Sequence, residues 1–181
     1  MKNLLFTLLM LAVITSCSKS QDNTHTDWSS CQYFYSKGPL PPPYHYSFEV
    51  TINNDGAGAL NYHLGYGENT PLNYTFKVSP EDLKLLGKKI CHSKIASGNV
   101  DEVSESNHPV GGPTEYARII ITNSNPDLDQ PPRVFQSPVF PKEEFKSDLK
   151  ELYEFVRSLV PGEVWLDAEG KKTEYETNFK K

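Results

Sequence analysis

Residues 44–52 read YHYSFEVTI, in which Tyr44, Tyr46, Phe48, Val50 and Ile52 alternate with His45, Ser47, Glu49 and Thr51. Side chains on a strand point to opposite faces in turn, so a period of two predicts a half-buried strand, aromatic inside and polar outside. NNDGAG at 53–58 supplies turn residues, and Leu60, Tyr62, Leu64 and Tyr66 then resume the alternation. Beyond GENTP at 67–71, Leu72, Tyr74, Phe76 and Val78 make a third strand. The three segments predict an antiparallel meander with one face turned to a core. With the first turn centred on Gly56, His63 would stand opposite Glu49 and His45 opposite Gly67.

Downstream, Ser79-Pro80-Glu81-Asp82 combines a hydroxyl cap, a proline in the first turn and acids at the positive end of the helix dipole. Leu83, Leu86 and Ile90 lie on one face of the helix that follows, with Gly87 beside them for close approach to the sheet. Residues 92–113, HSKIASGNVDEVSESNHPVGGP, form a loop long enough to be a candidate functional element. EYARIIITN at 115–123 and RVFQSPVF at 133–140 read as two more strands around the turn-rich 124–132, the second an edge strand because of its proline. Phe145, Leu149, Leu152, Val156 and Leu159 mark a second helix, ended by Pro161-Gly162. The tail 166–181 is a candidate short third helix, weakened by Gly170. The expected fold is α+β over 44–165: a meander, a helix, two strands and a helix, giving an antiparallel sheet of about five strands with helices on one face.

Upstream, 18–30 is polar apart from Trp28 and reads as a flexible tether. KGPLPPPYHY at 37–46 reads as a polyproline arm leading into the first strand of the meander. Met1-Lys2-Asn3 is followed by an apolar run from Leu4 to Ile14, interrupted only by Thr7 and too short to span a bilayer. The small residues Thr15 and Ser16 precede Cys17. Ile14-Thr15-Ser16-Cys17 resembles the lipobox of bacterial membrane lipoproteins. The resemblance implies that 1–16 is a signal peptide, removed to leave 17–43 as lipidated cysteine, tether and arm, with Cys17 carrying diacylglycerol and an N-acyl chain. Each buried methylene adds roughly 0.8 kcal/mol, and two or more chains make attachment stable. Ser18 is not the acid that retains some lipoproteins in the inner membrane, so the outer membrane of the envelope is favoured where two membranes exist.

The chain carries 18 Lys and Arg against 23 Asp and Glu, a net charge of −5 that argues against nucleic acid and leaves membrane attachment to the lipid. Cys31 and Cys91, an even pair in an exported domain, are expected to close a disulfide loop of about 60 residues, a crosslink of roughly 2 to 4 kcal/mol, the alternative being buried thiols.

Signals for catalysis are weak. There is no G-x-S-x-G elbow, and HPVGGP at 108–113 lacks the Lys-Ser or Lys-Thr of a phosphate loop. DEVSES at 101–106 does not follow EF-hand spacing, and Cys91-His92 has no partner at zinc spacing. No cofactor or metal is expected, and His108 and Glu115 are the only candidate acid/base pair. The tyrosines suit a thin core, although Tyr33 and Tyr35 around Phe34 are poorly explained by it.

The block from PPPYHYSFEV through FVRSLVP resembles small exported bacterial proteins without assigned activity, through its tyrosine-rich strand, D-G turn, S-P-E-x-L helix start, V-G-G loop and final L-V-P. The expected role is a non-enzymatic envelope lipoprotein whose domain meets an envelope or secreted protein or maintains the envelope. The alternatives are a lipid-tethered hydrolase or a small-ligand-binding protein using the 92–115 loop. For the anchor, intact mass of membrane-fractionated protein should show acyl groups on Cys17, and Cys17→Ala should release the chain. An unmodified, soluble wild type would overturn it.

Overall fold

The computed structural model describes residues 28–66, 70–122 and 131–179. The expected signal peptide, Cys17 and most of the expected turn at 124–132 lie outside the described residues. Six strands form one antiparallel sheet: β1 (Trp28–Ser36), β2 (Tyr46–Asn53), β3 (Ala57–Leu64), β4 (Leu72–Lys77), β5 (Thr114–Ile121) and β6 (Arg133–Gln136), in the order β4-β3-β2-β1-β5-β6. Helices α1 (Pro80–His92), α2 (Glu143–Ser158) and α3 (Gly162–Asn178) complete an α+β fold. The expected fold class is present, with a sixth strand.

That strand is β1, and it corrects the reading of 28–30 as part of a tether and of 44 as the start of the domain, residues 18–27 lying outside the described residues. Cys31 and Tyr33 point into the core and are fully buried. Tyr33 faces Val50 on β2 and Ala117 on β5, so β1 is hydrogen-bonded along both edges. Its inward side chains are spaced by polar Gln32 and by Phe34, which turns to the other face and stacks on Tyr116 with ring centroids 4.6 Å apart.

The β2–β3 hairpin is present in a different register. His63 faces Ser47, two residues from the expected Glu49, which faces Asn61 instead. The turn is set by Gly56 at φ 84°, whose N–H donates to the Asn53 carbonyl. A left-handed φ suits glycine because it has no Cβ to clash. His45 is not on the open sheet face; it is buried ahead of β2, its ring 4.0 Å from that of Tyr66 and its Nδ1 2.8 Å from the Gly38 carbonyl.

Helix α1 starts as its sequence predicts: Ser79 caps it, its Oγ accepting the Asp82 N–H at 3.1 Å. Leu86, Gly87 and Ile90 are its buried face, while α2 buries Phe145, Leu149, Leu152, Tyr153 and Val156. Lys89 of α1 reaches Glu151 of α2 at 2.7 Å. The tail is a full helix, α3, with Gly170 facing open space where a missing side chain costs no packing. Only Ala168 of α3 is buried; its hold on the sheet includes Tyr62 Oη donating to Glu169, Tyr74 Oη donating to Asp167, and Trp165 edge-on to Phe48.

The expected Cys31–Cys91 disulfide is absent. Cys31 lies in the centre of the sheet, where burial pushes its thiol up to about 12, whereas Cys91 is exposed on the last turn of α1. One sulfur is enclosed by core and the other faces solvent.

The central place of β1 predicts a large effect from its middle residue. Tyr33→Ala should cost about 3 to 5 kcal/mol in urea unfolding, as for other buried aromatics. A change below about 0.5 kcal/mol, ordinary for an exposed site, would return 28–36 to the role of a tether.

Candidate functional site

The long loop folds over one end of the sheet and is stitched to the segment before α2. Val103 N–H donates to the Phe140 carbonyl and Lys142 N–H to the Asp101 carbonyl, both at 3.0 Å, around a bridge between Glu102 and Pro141. The arm ahead of β2 closes the other side. Gly38, at φ 97°, packs so tightly that a Cβ there would run into the Gly112 carbonyl. The loop is therefore held from two directions.

Between this loop, α2 and the ends of β1 and β5 lies a cavity of about 620 Å³. Val103, Pro109, Pro113, Val139, Phe140, Pro141 and Leu149 give it apolar walls. Tyr33, Tyr35, Tyr153 and Glu115 lie at its base, and α2 contributes Lys146, Lys150, Glu154 and Arg157. Its volume falls in the range of small-ligand sites, with tyrosine and charged side chains beside the apolar walls.

The polar groups form two sets. Tyr33 Oη donates to Glu115 Oε2 at 2.6 Å, and the Arg157 guanidinium is close enough to act on the same phenol. Burial raises the Tyr33 pKa furthest, and the Glu115 carboxylate raises it further. Arg157 lies over the rings of Tyr35, Phe48 and Trp165 at 5.8, 5.6 and 5.9 Å, contacts that orient the planar cation. In the second set, Tyr153 stacks on Tyr33 at 5.1 Å, and its Oη is 2.7 Å from Ser137 Oγ, which accepts the Ala117 N–H. Burial pushes the Tyr153 hydroxyl up to about 12.

The sequence-predicted pair His108 and Glu115 is not brought together. His108 Nε2 is 3.1 Å from the Val103 carbonyl and 3.7 Å from Glu102, with its ring on Phe140, while Glu115 takes the Tyr33 hydroxyl. His108 thus braces the loop from behind, and Glu115 alone lines the cavity. No serine, threonine or cysteine among the described residues lines it. His45 and His63 border two separate, shallower hollows, and no cluster among the described residues could hold a metal ion. Asp101 and Glu102, the first two acids of DEVSES, pair with Lys142 and His108.

Sequence reasoning missed Arg157, Lys150 and Tyr153. Tyr153 and Arg157, four residues apart on α2, share a helix face, but that spacing also describes ordinary surface charge beside a buried stripe. The one usable signal was the pair Tyr33 and Tyr35, which core packing did not explain.

These phenols give the protein an alkaline limit. The folded state keeps Tyr33 and Tyr153 protonated above pH 10, where tyrosines of the unfolded chain begin to ionise. Their contribution is therefore complete below about pH 10 and is lost as pH rises through the raised folded values. Urea midpoints should fall above pH 10, with tyrosinate absorbance at 295 nm appearing together with unfolding. Ionisation of every tyrosine near pH 10 with the fold intact would contradict the buried hydrogen bonds.

No protein-family model matches the chain, and comparison with curated proteins returns no match. Among solved structures, it is similar to an SsgA-like sporulation-specific cell division protein from Thermobifida fusca, at 15% identity over 82% of this chain and 88% of that one, with a TM-score of 0.20. A score that low carries no functional argument.

Proposed function

We propose that the chain is a lipid-anchored protein of the bacterial envelope whose α+β domain binds, without catalysis, a segment of an envelope or secreted protein in the cavity between α2 and the 103–113 loop. The observation that carries this reading is the cavity itself: about 620 Å³, walled by proline, valine and phenylalanine, with a fixed tyrosine, glutamate and arginine at one end. His108 and Glu115 serve different partners, which favours binding over acid/base work. The lipobox resemblance supplies the address, and no described helix is long and apolar enough to cross a membrane.

A photocrosslinker tests the reading in cells. Benzoylphenylalanine in place of Val139, on the cavity wall, should give adducts of discrete mass in the membrane fraction. The same group at Thr75, exposed on β4 and remote from the cavity, should give none. Equal labelling at both positions, or none at either, would remove the cavity as the binding site.

A further inference from the structure

Resting on that reading, we infer that the cavity recognises the free C-terminal carboxylate of a peptide whose last residue is apolar. Three observations converge on this chemistry.

The first is an unspent cation. Lys146 pairs with Glu143 and Lys150 with Glu154, but no described carboxylate forms an ion pair with Arg157. Arg157 is exposed, and the aromatic rings beside its guanidinium favour an orientation of its N–H donors toward the cavity mouth. Planar bidentate pairing is the strong mode of arginine, and a carboxylate matches it.

The second is the neighbouring acceptor. Glu115 takes one hydrogen bond from Tyr33 and keeps further lone pairs for a ligand donor. At a peptide end, an amide N–H follows the carboxylate within one residue, so a single residue can present an acceptor to Arg157 and a donor to Glu115. The same carboxylate repels a doubly charged phosphate, which selects a singly charged head. Lys146 and Lys150 are each paired with a carboxylate of their own helix, so Arg157 is the lining cation left to meet an added negative charge, although the whole chain stands at −5.

The third is the wall. Val103, Val139 and Phe140 offer apolar surface to a side chain, and Pro109, Pro113 and Pro141 leave little chain entropy to lose on binding. The space exceeds that of one amino acid, which favours the end of a chain over a free one. Carboxylate capture is one of the recurring ways in which proteins recognise peptides.

The test uses the full lipidated chain in detergent, with Gly-Gly-Phe, its C-terminal amide and free phenylalanine as probes, read by saturation-transfer NMR and titration. Gly-Gly-Phe should bind at least tenfold more tightly than its amide and than free phenylalanine. Arg157→Ala should remove that tenfold preference for the acid while leaving the residual amide binding in place, and Arg157→Lys should restore only part of it. Val139→Trp should block both peptides. Equal binding of acid and amide, both blocked by Val139→Trp, would overturn the carboxylate inference while leaving the cavity as a binding site. Binding of free phenylalanine as tight as that of the tripeptide would overturn the peptide assignment. Absence of binding by any probe, with Val139 crosslinks still formed, would overturn the inference, whereas loss of the crosslinks as well would overturn the site.

Discussion

Hydrogen bonding along both edges of Trp28–Ser36 joins the β2–β3–β4 meander to the β5–β6 hairpin, and the rest of the structure depends on that double ladder. Without β1 each half would expose a strand edge and a half-covered apolar face, and small isolated sheets of that kind are marginal in water. With it, Cys31 and Tyr33 close a continuous floor from Leu60 to Ile119, on which α1 and α2 set their apolar stripes. The same strand carries Tyr33 and Tyr35 into the lining of the cavity. Core and site are therefore built from one segment.

The cavity is roomy because its boundaries are fixed elsewhere. The Val103–Phe140 and Asp101–Lys142 backbone bonds hold the loop to the lead-in of α2, and Gly38 against Gly112 holds it to the proline arm. His108 stiffens the loop by bonding the Val103 carbonyl five residues back. A binding site between rigid walls loses less entropy on occupation than one that must be ordered by its ligand.

In the site and away from it, tyrosine hydroxyls of the sheet meet carboxylates instead of burying more hydrocarbon. Tyr33 meets Glu115, Tyr62 meets Glu169 and Tyr74 meets Asp167. Tyr33 and Tyr62 pack their rings in the core and Tyr74 packs against it, and each brings its one polar atom to a charged acceptor, a favourable arrangement because hydrogen bonds to charged groups are stronger than neutral ones. It explains how α3 docks with almost no buried hydrocarbon of its own, and why its length was not visible as an apolar stripe.

Local chemistry in the sequence determined the meander, the capped start of α1, the stripe of α2 and the antiparallel α+β class. Each depends on the spacing of neighbouring residues, as in the alternation of 46–52, which the structure keeps while Tyr44 and His45 fall in the turn ahead of the strand, or the Ser79 cap over Asp82. Tertiary structure alone decided three things. It made Trp28–Ser36 a central strand, because a segment with polar Gln32 and outward Phe34 is stabilised by the two ladders it completes more than by its own pattern. It kept Cys31 and Cys91 apart, since a count of cysteines says nothing of which way each sulfur points. And it assembled Tyr33, Glu115 and Arg157 from β1, β5 and α2, with 82 residues separating the first two and strand β6 lying between the last two, a convergence that no local period can encode.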